Sequence, residues 1–328
     1  MEFALDEAQL GLQETVARFC ADRFSFDTIA AREGVALDRR SWSELAELGV
    51  FSLLVPEAAG APGLGPVEAA IVFEQFGDHV VPGPMLWTVL AASLVDGASD
   101  GSLVVGGVEA SDVVDGSAAV ANGADLDALL VVHDDHVVLH RTADLPSAAA
   151  LDPLDPLTPV ARLSGLSDGT GEVVGDADVA RSIGHLGTVL VASMLSGVAG
   201  RSLEVARTYA LERQQFDAPI GSFQAVKHLL ADMYVRTGLA QASAYAAAAV
   251  LADPGDDDPG DAAASAKVVA VDAAITNASD SVQILGGMGF TWDMLPNHLL
   301  KRAWVLEHTF GTADDHALRL GSTLVEHA

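Results

Sequence analysis

The sequence predicts an α+β multidomain protein. Residues 1–95 read as an N-terminal helical domain, 96–182 as a reduced middle β domain, and 183–328 as a C-terminal four-helix bundle. Three observations carry this. Apolar residues recur at helical spacing through both ends of the chain. The middle third breaks into short Val- and Leu-rich runs punctuated by Gly, Asp and Pro. Aromatics make up only 5% of the 328 residues while Ala, Val, Leu and Gly abound, which suits close-packed helices.

The elements follow in order. Asp6 and Gln9 have the spacing of a capping box, and Leu12, Val16, Phe19, Cys20 and Arg23 continue at helical spacing. Cys20 lies on the apolar stripe and reads as a buried structural thiol. Ser41 and Glu44 form a second capping-box pair, and Gly49 marks a helix stop. Gly60–Gly65 reads as a turn, Pro66 as a helix start, and Pro82-Gly-Pro84 as a break before a short helix over 85–94. Leu103–Val105, Ala128–Val132 and His136–His140 read as strands, with Asp134-Asp135 as a hairpin turn. The prolines of Leu151–Pro159 exclude helix there. Helical runs follow over 185–212, 223–252, 262–285, 295–309 and 312–326, and the acidic segment Ala252–Asp261 reads as a solvated loop.

Composition narrows the function. Asp and Glu number 46 against 17 Lys and Arg, a net charge of −29. Such a field repels nucleic acid and anionic membrane. The lone Cys20 excludes an internal disulfide and a cysteine metal site. The longest apolar stretch, Leu186–Val198, is too short to span a bilayer. The opening Met1-Glu-Phe-Ala-Leu-Asp6 leads with acid, so a cytoplasmic protein is expected. His133, His136 and His140 invite a metal reading, but strand spacing puts His133 and His136 on opposite faces. No metal site is expected.

The informative motifs lie in the last third: Arg213-Gln-Gln-Phe216, Ile220-Gly-Ser-Phe-Gln224 and Gln283-Ile-Leu-Gly-Gly-Met-Gly-Phe290. A guanidinium can grip a pyrophosphate through paired hydrogen bonds, and adjacent glycines let a backbone approach a ligand closely. The joint order and spacing of these motifs resemble the acyl-CoA dehydrogenase family. Leu5-Asp-Glu-Ala-Gln9, Leu45-Ala-Glu-Leu-Gly-Val50 and Val55-Pro-Glu57 are similar to that family's N-terminal part. The resemblance implies α,β-dehydrogenation of an acyl-CoA thioester with FAD as hydride acceptor, each FAD lying at a subunit boundary. It implies that Arg213, Gln215, Phe216, Phe223, Gln224, Gln283, Ile284, Leu285, Gly286 and Gly287 bind the FAD of a neighbouring subunit.

The departures from the family are equally specific. Relatives carry the catalytic Glu just before a Gly-Thr pair, or on the first bundle helix. Here those places hold Phe310, before Gly311-Thr312, and Gly187. The Asp-x-x-Arg pair that grips acyl-CoA falls on His185 and Thr188. The flavin-bed segment Thr-Glu-Pro…Gly-Ser-Asp is absent between residues 87 and 120. A flavin-contacting Gln becomes Asp314. No catalytic base is therefore expected in this chain. The chain resembles the shorter, base-lacking subunit of bacterial α2β2 heterotetrameric acyl-CoA dehydrogenases of steroid side-chain degradation. That resemblance implies a full-length partner subunit that shares the FAD and binds most of the acyl-CoA. Two alternatives stay open: a self-sufficient dehydrogenase whose base has moved to Glu307, and a non-enzymatic scaffold or regulatory homologue.

Overall fold

A computed structural model describes residues 5–31, 33–34, 37–57, 63–167 and 169–326. Part of the turn expected over 60–65 lies outside these residues. The contacts group the chain into two compact units. One holds residues 1–30, 70–81 and 188–328, the other 31–69 and 82–187. Elements at opposite ends of the sequence thus share a core.

The first unit opens with α1, Glu7–Arg23, whose capping box at Asp6 and Gln9 is present as the spacing predicts. Val16 and Cys20 face inward. Burial pushes the Cys20 thiol up to about 12, so it stays protonated and inert. After α2, Phe26–Ala30, the unit resumes in α4, Pro66–Asp78, which does begin at Pro66. The bundle is α6, Ala177–Glu212; α7, Gln224–Ala252; α8, Pro259–Leu285; α9, Leu295–Glu307; and α10, Ala313–Glu326. The α6 helix starts eight residues before the expected His185, because Asp176 Oδ1 accepts from the backbone N–H groups of Asp178 and Val179 and opens a helix directly after a strand. Its length and apolarity would suffice to cross a membrane, yet 78% of its apolar window is buried. Burial of that extent is the mark of a core helix.

Small residues set how closely these helices approach. A Cβ on Gly77 of α4 would lie 1.9 Å from the carbonyl oxygen of Met194 in α6, and a Cβ on Gly197 would lie 2.0 Å from that of Glu74. The two helices therefore cross backbone to backbone. Polar bonds tie the others. Asn277 of α8 donates to the carbonyls of Ala199 (3.2 Å) and Met233 (3.0 Å) and accepts from Arg236 Nε at 2.8 Å. Glu74 accepts from Gln241 Nε2 at 2.7 Å and from the Tyr245 hydroxyl. Desolvation raises the pKa of this buried carboxyl.

The second unit contains α3, Arg39–Glu47, and α5, Met85–Ala91. The cap of α3 is Asp38, which accepts from Arg40 N at 3.2 Å, so the helix begins before the expected Ser41. Ser41 instead donates to Asp38 Oδ2 at 2.5 Å. Among the described residues the β region holds seven strands: β1, Val105–Glu109; β2, Ser117–Ala121; β3, Ala128–Val132; β4, His136–Arg141; β5, Ala149–Leu151; β6, Val160–Ser164; and β7, Glu172–Asp176. One sheet has order β1-β3-β4-β7, the other β2-β6-β5. β1 and β3 are parallel; the remaining pairs are antiparallel. The first expected strand shifts from 103–105 to 105–109, where Gly106 and Gly107 hid it from a reading based on apolar runs. Gly107 is required there, since a Cβ would meet the Trp87 ring at 2.1 Å.

The β3–β4 hairpin turns at Asp134-Asp135 as expected, but the imidazoles do not diverge. His133 and His136 stack, centroids 4.3 Å apart and planes 9° apart. His133 lies beyond the last paired residue of β3, so strand alternation does not govern it. Among the described residues no group of three or more His, Cys, Asp or Glu side chains could hold a metal ion.

Candidate functional site

The three C-terminal motifs converge on one small apolar core. Ile284 and Leu285, at the end of α8, pack with Ala206 and Ala210 of α6 and Met233 of α7. Tyr209, Ile220, Val226 and Leu230 cover that cluster. The core thus fastens together the end of α6, the segment after it, the start of α7 and the glycine-rich turn. The motifs are separated by up to seventy residues in sequence, and their shared apolar residues are what unite them.

Arg213 leaves α6 and begins a two-residue β8–β9 hairpin, Gln214–Gln215 paired with Ala218–Pro219. Its turn residues Phe216 and Asp217 both have left-handed backbones, φ 52° and 63°. That is the twist a two-residue hairpin needs. Asp tolerates this conformation, whereas a bulky aromatic adopts it at a cost. The hairpin thereby holds the Phe216 ring 89% exposed, edge-on to Phe223 at 6.2 Å. The Arg213 guanidinium is exposed and has no hydrogen bond or ion pair with any described residue, Glu212 and Asp217 included. Gln215 Nε2 donates to Gln214 O at 2.8 Å, and Gln224, the first residue of α7, is exposed.

Gln283 is exposed near the end of α8, and Gly286 terminates that helix at φ 65°. A Cβ on Gly286 or Gly287 would meet nothing within 4 Å, so no packing inside the chain calls for these glycines. Gly286 is explained by its backbone angle; Gly287 is left free to admit something from outside. Ile284 and Leu285 stand apart from the rest of the predicted set. Both are buried in the core.

The turn between α9 and α10, where the sequence places Phe310, is built quite differently. Phe310 is 4% exposed with φ 58°, and Gly311 follows at φ 80°. The buried Lys267 Nζ donates to Leu306 O at 3.1 Å and to Thr309 O at 2.5 Å, capping the end of α9. His316 Nε2 donates to Phe310 O at 2.8 Å. Lys267 carried no motif, and sequence reasoning missed it; a lysine in an Ala- and Val-rich helix was the available signal. Glu307, three residues before Phe310, is half-buried and makes no hydrogen bond or ion pair with a described residue. Asp314 is exposed at the start of α10.

In the second unit, His185 lines a cleft of about 850 Å³ with Arg181, Gly184, Glu109, Ser111 and His133. Gly187 and Thr188 are buried.

The chain belongs to the acyl-CoA dehydrogenase family. The family's N-terminal domain model matches residues 6–98 and its C-terminal domain model residues 178–324. Among curated relatives, the chain is similar to acyl-CoA dehydrogenase IpdE2 of Mycobacterium tuberculosis, 33% identical over 317 residues and covering 91% of each chain. Among solved structures it is similar to a chain of the ChsE4-ChsE5 complex of Mycobacterium tuberculosis. The TM-score is 0.86 at 26% identity, over 99% of both chains. The Tcur3481-Tcur3483 steroid ACAD shares the fold, with a TM-score of 0.83 at 24% identity over 98% of both chains.

Proposed function

We propose that this chain is the base-lacking subunit of a heteromeric, FAD-dependent acyl-CoA dehydrogenase. It completes the FAD site of a full-length partner, in an α2β2 assembly acting in the cytoplasm on a steroid side-chain CoA ester. The observation that carries the proposal is a contrast within one chain. Arg213, Gln224, Gln283 and Gly287 stand exposed, Arg213 with no side-chain partner among the described residues, whereas Phe310, at the place the family resemblance assigns to the base, is a buried phenyl ring.

The residues present fit the ADP end of FAD. Arg213 offers a fork of donors with no acceptor of its own. Gln215, Gln224 and Gln283 add amides, Phe216 and Phe223 add aromatic edges, and Gly287 leaves its backbone open. When bound, FAD supplies the hydride acceptor; this chain's residues bind and orient its nucleotide end. Proton abstraction belongs to the partner, because Phe310 has no group that takes a proton. Large exposed apolar side chains in the first unit, Tyr234 (72%), Phe290 (73%) and Leu239 (57%) among them, suit a surface covered by another subunit. Relatives that are complexes of two different gene products support the heteromer, and a relative described as a steroid ACAD supports the substrate class.

Expression alone and together with a full-length acyl-CoA dehydrogenase subunit tests the reading. The chain alone is expected to be colourless and inactive; the co-purified complex is expected to be yellow and active. Arg213→Ala in the complex is expected to weaken FAD binding by roughly 10- to 150-fold, the worth of a hydrogen bond to a charged group. FAD-loaded, active protein from this chain alone, with activity abolished by Glu307→Gln, would overturn the reading. Unchanged FAD affinity in Arg213→Ala would remove the clamp and favour a scaffold.

A further inference from the structure

A second polar site lies in the first unit, in the cavity where the end of α4 meets α1, α2, α6 and α9. It measures about 200 Å³ and is lined by Phe24, Phe26, Ile29, Leu295, Asp78, His79 and Arg201, with Ala21 and Ser25 at its edge. A cavity of roughly 150 Å³ accommodates benzene, so this one has room for a single small molecule.

Its polar wall is unbalanced. Asp78 already has a partner, His79 Nδ1 at 3.3 Å. Arg201 is half-buried; its charge acts on the neighbouring carboxylates of Asp78 and Glu204, but its Nε is shut off from solvent with no hydrogen-bond acceptor. The nearby Glu204 is taken by Arg207, at 2.9 and 2.8 Å. An N–H shut off from solvent without an acceptor is costly.

The backbone beside it is strained. Val80 follows α4 with φ 50° while fully buried. A β-branched residue in the left-handed region is a true outlier, and such strain persists only where the surroundings impose it. Here Val81 N donates to Phe76 O at 2.9 Å, and the buried Arg302 Nη1 donates to Val81 O at 3.0 Å. These bonds fix the chain just after Asp78 and His79, which line the cavity. The floor is aromatic and aliphatic.

We propose that this cavity binds a small monocarboxylate with an apolar body, Arg201 taking the carboxylate and Phe24, Phe26, Ile29 and Leu295 enclosing the body. The site is separate from the cofactor-facing motifs, and its acyl class suits an effector or product fragment of acyl metabolism.

Benzoate, benzyl alcohol and benzamidine, titrated by calorimetry into the purified protein in the assembly in which it is isolated, test this. Saturable binding of benzoate is expected, with benzyl alcohol at least about tenfold weaker, since it lacks the charge that pairs with Arg201. Arg201→Gln is expected to lose about the same factor for benzoate. Ala21→Trp, on the exposed rim, is expected to block all binding. Absence of saturable benzoate binding would mean that the cavity holds water only. Benzamidine binding tighter than benzoate, or a folded Arg201→Gln that binds benzoate as the parent does, would equally overturn the proposal. Should Arg201→Gln fail to fold, the benzoate and benzyl alcohol comparison on the unaltered protein decides.

Discussion

His316 Nε2 donates to the carbonyl oxygen of Phe310 across 2.8 Å, and this bond holds an aromatic residue with a left-handed backbone at the turn between α9 and α10. Desolvation lowers the pKa of His316, so the folded chain favours the neutral imidazole. A lowered folded pKa gives stability that is present above the unfolded value near 6.5 and lost as pH falls through the folded value. His316→Ala is expected to cost about 1 kcal/mol at pH 8. The gap from the parent should narrow at pH 5. Urea unfolding at both pH values measures it, and a gap that widens on acidification would contradict the assignment.

Restoring a carboxylate at Phe310 is not expected to restore an active site. The ring is 4% exposed, so Phe310→Glu buries a charge in a cavity shaped for an apolar side chain. A loss of roughly 2–4 kcal/mol in unfolding free energy is expected, with no dehydrogenase activity gained by the chain alone. Turnover with an acyl-CoA and an artificial electron acceptor is the check.

The crossing of α4 and α6 tolerates no Cβ. Gly77→Ala would drive a methyl group to within 1.9 Å of the Met194 carbonyl oxygen unless the helices part. Backbone cannot yield as a side-chain tip can. Destabilisation of more than about 3 kcal/mol, or insoluble protein, is expected. A thermal midpoint within a few degrees of the parent would show that the helices are not so close.

Gly286 and Gly287 separate backbone strain from ligand contact. Gly286→Ala is strained by its φ of 65° and is expected to lose about 1–2 kcal/mol of stability. Gly287→Ala meets no atom of this chain, so its stability should match the parent. In the partner complex its FAD content should nevertheless fall. Retention of full FAD content by Gly287→Ala would remove that residue from the cofactor surface.

Much of this was legible before any coordinates. Capping chemistry at Asp6, the proline start at Pro66, the glycine stop at Gly49 and the Asp134-Asp135 turn are local effects, and local sequence carried them. The strands β2, β5, β6 and β7 were not legible. They are short and mixed in polarity, and their stability comes from pairing with partners far along the chain. The helix start at Asp38 was obscured by a second, equally well-spaced pair at Ser41 and Glu44.

By itself the sequence determined the family and the residue types on offer: an arginine and glycines of a kind that suits a nucleotide, and a phenylalanine before Gly311-Thr312. Such identities are chemical and need no coordinates. Only tertiary structure decided which of those residues are available. Ile284 and Leu285 sink into the core, Phe216 is thrust outward by a left-handed turn, Arg213 stands unpaired, and Phe310 is locked by Lys267 and His316. Burial and hydrogen-bond partnership arise between elements distant in sequence, and no local pattern encodes them.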